Sequence, residues 1–286
     1  MQRRQFLSFG AVAAATAVSG VPAFSAGNAP IKITYVASWP SSNITTHIAA
    51  RVIQENLHYP THLTSTDAGP MWAAVASGRA DAMLTAWLPT THQVYWDKYK
   101  KDVVDVGAIT DGTWLGLAVP KYVPVSTIAE LEAQHAKFKN RITGIEAGAG
   151  VMINTQKAIK AYGLDDMELL TSSTAAMQAQ LKRAVSRKDW IVVTAWKPLG
   201  IWAQFPLKTL EDPKHVYGVG GHIDAIINPQ LEKRAPRVVQ FLREFKLPLD
   251  DIQAMMVELN GGKTMPQVTS AWVKAHQTEV DAWTKA

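Results

Sequence analysis

Short apolar runs alternate with segments of helical spacing along the first two thirds of the chain. Runs rich in Val, Ile, Leu and Ala predict strands, and apolar residues spaced by three or four positions predict helices between them. The predicted strands cover 31–37, 82–86, 114–119, 141–145 and 191–195, and the predicted helices cover 45–57, 71–77, 152–162 and 173–185, with another opening at Ser126. This alternation is typical of an α/β protein with largely parallel sheets.

The remaining third of the chain has the residue pattern of amphipathic helices. The whole chain is long enough to form two hydrophobic cores. Beyond Pro213, amphipathic segments predict mainly helices at 236–245, 249–259 and 266–283. With 286 residues, two domains can each bury a core. We predict crossovers near 117–120 and 212–219, which give one lobe of residues 27–117 and 220–286 and a second lobe of residues 118–219. Two crossings make a hinge and an interlobe cleft, the architecture of periplasmic binding proteins.

Residues 1–26 predict a cleaved signal peptide. A basic start with Arg3 and Arg4 precedes an apolar run over 9–18 and small residues over 23–26. That run is about half of the roughly 20 residues that a membrane-spanning helix needs. The arginine pair resembles a twin-arginine export motif, and an ordinary secretory signal is the alternative. Either route predicts a soluble periplasmic protein, and no cysteine is present to carry a lipid anchor.

Composition and motifs exclude several classes of function. The chain has no cysteine, which excludes disulfides, thiol nucleophiles and Cys-ligated metals. A formal net charge of +5 is spread along the chain and gives no reason to expect a nucleic-acid partner. His58 and His62 have a zinc-like spacing, but Pro60 between them argues against one helix. Because the common catalytic and phosphate-binding motifs are also absent, we expect no enzyme, no metal and no cofactor.

The tryptophans give the first positive indication of a ligand-binding site, and the chain has 10 of them. Trp39, Trp87 and Trp196 follow apolar strands, and in open α/β sheets ligands bind outside the carboxyl ends of strands. Several aromatic faces around one space attract a quaternary ammonium group. We therefore predict a cage for such a group, with core packing as the alternative. The other tryptophans lack this placement and are assigned to packing: Trp72, Trp96, Trp114, Trp190, Trp202, Trp272 and Trp283.

Two further features suit a ligand carboxylate. His92 follows Trp87 by five residues, with Pro89 stiffening the loop between them, and its ring can donate an N–H. A solvated loop histidine is the alternative. The turn Gly148–Ala149–Gly150 precedes a predicted helix, where free backbone N–H groups and the helix dipole suit a small anion. A tight turn without a ligand is the alternative there.

At these residues the sequence resembles the glycine betaine-binding proteins of osmoprotectant ABC importers. The most specific blocks are Trp-Leu-Pro-Thr-Thr-His at 87–92 and Gly-Ala-Gly-Val-Met at 148–152, and further similar blocks lie at 35–39, 68–72, 77–82, 116–120, 195–198 and 210–214. The resemblance implies a two-lobed, type II-like fold. It also implies a prism of Trp39, Trp87 and Trp196 around the trimethylammonium group. The carboxylate is then bound by the His92 side chain and by the backbone N–H groups of Gly150 and Val151.

The resemblance further implies a monomer that delivers its ligand to an ABC permease in the membrane. Choline, carnitine, proline betaine and a sulfonium analogue stay open as ligands, and so does a sensory role with the same binding chemistry. An exported choline-ester hydrolase is the alternative from another class. Family members often read Trp-x-Pro-His-Trp at the third tryptophan, whereas here Trp196 is followed by Lys197–Pro198–Leu199–Gly200–Ile201–Trp202. The chain also has Pro40 after Trp39, where an acidic residue is common in the family. These departures place the size and selectivity of the site in question.

Overall fold

The computed structural model describes residues 28–285, so the predicted signal peptide lies outside the described residues. The strands are β1 (Ile31–Tyr35), β2 (Thr61–Ser65), β3 (Ala82–Leu88), β4 (Val104–Pro120), β5 (Arg141–Thr143), β6 (Glu168–Leu170), β7 (Val193–Lys197), β8 (Leu207–Thr209) and β9 (Gly221–Ile227). The helices are α1 (Pro40–Glu55), α2 (Ala68–Ala76), α3 (Gln93–Tyr99), α4 (Glu130–Ala133), α5 (Gly150–Tyr162), α6 (Thr174–Arg187), α7 (Ile201–Gln204), α8 (Gln230–Arg234), α9 (Pro236–Glu244), α10 (Leu249–Asn260), α11 (Met265–Ala275) and α12 (Gln277–Thr284), with a short 3-10 helix at His135–Phe138.

The strands form two groups with the same internal order. The first sheet runs β2-β1-β3-β9-β4, with β9 antiparallel to both of its neighbours. The second sheet runs β6-β5-β7-β4-β8, with β4 antiparallel to β7 and β8. The sequence predicts largely parallel sheets, whereas each sheet contains a reversed strand. In each case that strand enters from the opposite sheet, so the reversal follows from the two crossings of the chain.

Strand β4 belongs to both sheets. Its residues up to Thr113 pair with β9, and those from Trp114 pair with β7 and β8. The sequence predicts only the second half as a strand, because glycines and aspartates interrupt the apolar pattern of the first half. The return crossing passes through Gly218 and Gly220, which have φ of 77° and 118°. Such angles strain any residue with a Cβ, so glycine permits the sharp bend at this point.

The hydrophobic core has two parts. One part lies between a face of the first sheet and the helices α1 and α9 to α12, and includes Ile33, Ile48 and Phe241. The other part is continuous from the opposite face of the first sheet into the second sheet. Trp87 and Trp196 both belong to this second part. The predicted cage residues therefore lie where the interiors of the two sheets meet.

Helix boundaries differ from the sequence prediction mainly at the start. Helix α1 begins at Pro40, with Trp39 in the N-cap position, and proline is favourable in the first turn of a helix. Ser41 and Ser42 lie inside the helix, before the predicted start at 45, and the Ser42 hydroxyl accepts the Val36 backbone N–H at 3.0 Å. At the other end of the chain, the predicted helix 266–283 divides into α11 and α12 at His276. No helix within the described residues is long and apolar enough to cross a bilayer.

Candidate functional site

Two of the three predicted cage residues occupy matching places in the two sheets. Trp87 is the penultimate residue of β3, and Trp196 is the penultimate residue of β7. Strands β3 and β7 both lie beside the reversed strand of their sheet. Each tryptophan is followed, after one residue, by a proline with a cis peptide bond, Pro89 and Pro198. The third residue, Trp39, comes from the turn between β1 and α1, and all three side chains are buried.

The three indoles meet at one cavity between the two sheets. Its remaining lining comes from the first turn of α1, the turn after β3, strand β4, the segment after β5 and the start of α5: Ser41, Thr91, Leu115, Ile145, Ala149, Gly150 and Val151. The structure thus brings together five of the six residues predicted from the sequence. None of the described residues that line the cavity carries a charge. Any charge on a ligand must be met by aromatic faces and by dipoles.

His92, the sixth predicted residue, lies directly behind this wall and is fully buried. Its Nδ1 atom accepts the Trp87 backbone N–H at 3.2 Å and faces the Trp72 indole N–H at 3.4 Å. Because Nδ1 is an acceptor, the proton of the neutral ring resides on Nε2. Burial lowers the pKa of His92 to about 3. The ring is therefore a neutral N–H donor at physiological pH and does not repel a cation in the cage.

The start of α5 presents the other predicted donors. Gly150 and Val151 are its first two residues, and Ala149 in the N-cap position makes no side-chain cap. Their backbone N–H groups donate to no described residue, as the first turn of a helix allows. The positive end of the helix dipole lies at the same place. A Cβ on Gly150 would lie 2.0 Å from the Thr91 carbonyl oxygen, so only glycine lets α5 come this close.

Unpartnered donors gather around the cavity. The indole nitrogens of Trp39 and Trp87, the Ser41 hydroxyl and the His92 Nε2 atom are buried and have no hydrogen-bond partner among the described residues. Buried polar atoms are seldom left without a partner. Three of these four groups can only donate, and the N–H groups of α5 add two more donors. The arrangement suits a ligand that carries strong acceptors, such as a carboxylate.

Four residues at the site were not predicted from the sequence. Trp72 lies outside the cavity against His92, and three others complete the lining: Ser41, Leu115 and Ile145. Trp72 was assigned to packing, yet its indole N–H contacts His92 and helps to fix the tautomer of that ring. Its position in the similar block 68–72 was the available indication. Ser41 lines the cavity and was not predicted, although it stands two residues after Trp39. Leu115 and Ile145 carry no chemical signature, because an apolar strand residue looks the same in a core and in a cavity wall.

Direct contacts hold the two sides of the cavity together. The Tyr95 hydroxyl, on α3, donates to the Gly148 carbonyl at 2.7 Å. The Gln253 side chain, on α10, donates to the Leu199 carbonyl at 3.1 Å. Each bond joins an element packed on the first sheet to a loop of the second. The cavity is therefore enclosed only when the two sides are in contact.

Comparison with known families decides the class of the protein. Residues 29–275 match the OpuAC family, described as the substrate binding domain of ABC-type glycine betaine transport systems. The chain belongs to the OpuAC family. Members of this family are transport substrate-binding proteins, and the homologues include periplasmic binding proteins.

Individual OpuAC relatives agree with this assignment. The chain is 43% identical to the glycine betaine/carnitine transport binding protein GbuC of Listeria monocytogenes over 145 residues, about half of each chain (50% and 48%). It is 23% identical to the glycine betaine/proline betaine-binding periplasmic protein of Salmonella typhimurium over 81% of this chain and 82% of that protein. A crystal structure of lactococcal OpuAC, closed and complexed with glycine betaine, superposes with a TM-score of 0.85 at 35% identity, covering 90% of this chain and 100% of that one. The fold is that of a two-lobed periplasmic substrate-binding protein, as the sequence predicts.

Proposed function

We propose that this protein is the extracytoplasmic substrate-binding protein of an ABC importer and binds glycine betaine or a closely related betaine. The observation that carries the proposal is the cavity itself, an uncharged space with aromatic faces and a surplus of hydrogen-bond donors. A zwitterion with a quaternary ammonium and a carboxylate matches both features. The bound ligand would then be delivered to a membrane permease.

The indoles of Trp39, Trp87 and Trp196 supply the cation half of the site. A quaternary ammonium has no N–H to donate, so it is recognised by the electron-rich faces of aromatic rings. A desolvated contact of this kind contributes about 2 kcal/mol. Rings contributed by both sheets can surround the ammonium only when the two sheets close on it. Cation binding is therefore coupled to closure of the cleft.

His92, Gly150 and Val151 supply the carboxylate half. Nε2–H of the histidine comes from the first sheet, and the two backbone N–H groups come from the start of α5. A hydrogen bond to a charged group contributes about 1.5–3 kcal/mol. The Ser41 hydroxyl lines the same cavity and adds a further donor. These groups distinguish a betaine from a quaternary ammonium compound that lacks a carboxylate.

Choline is the main competing ligand, because an aromatic cage alone accepts it. Within the lining that the structure describes there is no carboxylate to balance a lone cation, and burying an unbalanced charge is costly. This favours a zwitterion. Hydrolysis of a choline ester is disfavoured because the Ser41 hydroxyl at the cavity has no base within hydrogen-bond distance among the described residues. A sensory protein would use the same binding chemistry.

We further propose how the chain is divided and how it moves. The exchange of strand partners supports a hinge at Thr113–Trp114 and at 218–220, so that one lobe holds 28–113 and 221–285 and the other holds 114–217. This places the first crossing a few residues before the 117–118 boundary expected from the sequence. The ligand enters the open cleft, the lobes close on it, and the closed monomer docks on the permease. Cleavage of residues 1–26 would place it in the periplasm.

Calorimetric titration of the mature protein with glycine betaine and with choline tests the proposal. The two ligands share the trimethylammonium group and differ at the carboxylate. We expect micromolar binding of glycine betaine, about −8 kcal/mol, and much weaker binding of choline. Tighter binding of choline would refute the carboxylate site. Absence of heat with glycine betaine, choline, carnitine and proline betaine would refute the function itself.

A further inference from the structure

The turn after Trp196 is closed by a side chain rather than by the backbone. The indole N–H of Trp202 donates to the Trp196 carbonyl at 2.7 Å. In the matching turn of the first sheet, the Trp87 carbonyl accepts the backbone N–H of His92, also at 2.7 Å. In both turns, therefore, the carbonyl group of the tryptophan near the strand end accepts a hydrogen bond. Only in the second turn does a replaceable side chain hold it.

Two further side chains pack on Trp202 outside the cavity. The Lys197 ammonium lies 5.3 Å from the centre of the Trp202 ring and 6.0 Å from that of Trp114. The Trp114 and Trp202 rings meet edge to face at 5.8 Å. Trp114 and Lys197 face each other across the β4–β7 pair. Lys197 therefore lies over the aromatic pair and is the next residue in the chain after Trp196.

We propose that Trp202 is a positioning residue for Trp196, and that Lys197 and Trp114 hold Trp202 in place. The inference rests on the proposed function, because it concerns how one wall of the ammonium cage keeps its orientation. Trp202 contacts no part of the cavity and acts only through the backbone of Trp196. The sequence departs from the family pattern in this loop. The packed group of Trp114, Trp202 and Lys197, here called the stack, supports Trp196 there.

The stack also lies close to the proposed hinge. Trp114 is the first residue of β4 that pairs with the second sheet. The stack therefore lies at the point where the chain changes sheets, on the same short stretch that carries the proposed hinge. Holding Trp196 from this point keeps the wall fixed relative to the second sheet while the first sheet moves.

The substitution Trp202→Phe removes the indole N–H and keeps an aromatic ring for Trp114 and Lys197. We expect the Kd to rise about tenfold for glycine betaine and, if choline binding is measurable, by the same factor for choline. Both ligands are affected because Trp196 loses the hydrogen bond to its carbonyl, and Trp196 contacts the ammonium group that the two ligands share. The ratio of the two Kd values stays constant. The matched control is Trp190→Phe, because Trp190 packs on Phe138 and lies away from the cavity. Wild-type affinity of Trp202→Phe, or an equal loss in both variants, would overturn the proposal.

Indole N–H resonances give a test that needs no ligand. In the ¹⁵N-labelled protein, the Trp202 N–H exchanges slowly with solvent, and Lys197→Met accelerates that exchange. In Trp202→Phe the Trp196 indole resonance shifts, whereas Trp190→Phe leaves it unmoved. A Trp196 resonance unchanged by Trp202→Phe would refute the positioning role even if the protein binds no betaine. Absence of ligand binding by the wild-type protein with the shift present would refute the proposed function and leave the positioning role standing. If Trp202→Phe does not fold, an unchanged Trp202 exchange rate in Lys197→Met refutes the supporting stack.

Discussion

The turns that follow Trp87 and Trp196 occupy the same place in their two sheets but are completed differently. In the first turn, buried His92 donates its backbone N–H to the Trp87 carbonyl, and its ring accepts the Trp87 backbone N–H. The second turn is closed by the indole of half-buried Trp202 beneath an exposed lysine. In the proposed site, the first turn thus supplies both a cage residue and a carboxylate donor. The second turn supplies a cage residue only.

This difference explains why the proposed carboxylate donors on the side of the second sheet come from another element. No side chain of the Trp196 turn lines the cavity apart from Trp196 itself, within the residues that the structure describes. The start of α5 fills that role with backbone N–H groups, and Gly150 allows the close approach that this requires. Equivalent strands therefore position equivalent rings, while the polar half of the site depends on local features of each side.

The largest expected effect follows from removing the wall that also organises His92. Trp87→Ala should abolish measurable binding of both glycine betaine and choline, since it removes a cage face and frees the turn that orients the imidazole. Loss of one cation–π contact reduces the binding free energy by about 2 kcal/mol, and the cavity left by the missing indole increases that loss. Titration calorimetry gives the affinity, and circular dichroism checks the fold. Near-normal affinity in a folded variant would remove Trp87 from the site.

A second large effect is expected at the start of α5. In Gly150→Ala the new Cβ would lie 2.0 Å from the Thr91 carbonyl, so α5 must withdraw and its N–H groups leave the carboxylate. The glycine betaine Kd should rise about a hundredfold or more, as expected from losing two hydrogen bonds to a charged group. Gly148→Ala is the control, because its Cβ would meet only the Tyr95 hydroxyl at 3.6 Å. Equal affinities of the two variants would contradict the steric argument.

A smaller effect is expected from the contact that joins the two sides. Tyr95→Phe removes the hydrogen bond to the Gly148 carbonyl and leaves the ring in place. The affinities for glycine betaine and choline should both fall by a few fold, in line with about 0.5–1.5 kcal/mol for a neutral hydrogen bond. Surface plasmon resonance should show the loss mainly as faster dissociation. A change in the preference between the two ligands would instead place Tyr95 in the carboxylate half.

The smallest effect distinguishes the reversed strands of the two sheets. β9 carries the buried Asp224, whereas β4 is apolar over 117–119. Burial, and then the nearby Asp105 carboxylate, raise the pKa of Asp224 to about 6. In the unfolded chain this carboxyl loses its proton at lower pH, so its contribution to stability is present in acid and lost as pH rises toward 6 and above.

Asp224→Asn should therefore raise the melting temperature at pH 7.5 by about 2–4 °C for each kcal/mol recovered, with a smaller gain at pH 4.5. Scanning calorimetry at both pH values measures the difference. A gain that is the same at both values would show that the carboxyl does not titrate in this range. Glycine betaine affinity at pH 7.5 serves as the control and should stay unchanged, because Asp224 does not line the cavity.

Much of the fold could be predicted from local pattern, and the failures have physical causes. Apolar runs with clear periods gave β3, β7, α5 and α6 within a few residues of their observed bounds. β9 and the first half of β4 were missed, because their glycines and polar residues are stabilised by pairing with distant strands. The short strands β2 and β8 were also missed, since three to five residues carry too little periodicity to separate a strand from a loop.

The amino-acid sequence is enough to predict the kind of site, from tryptophans at strand ends, a histidine five residues after one of them, and a glycine-rich turn before a helix. These features depend on residue type and spacing, which are local properties. Three features follow from the tertiary structure alone: the contact of Trp72 with His92, the place of Ser41 in the cavity lining and the hydrogen bond from Trp202 to the Trp196 carbonyl. Each of those contacts joins side chains whose direction is set by packing, and spacing along the chain does not specify packing.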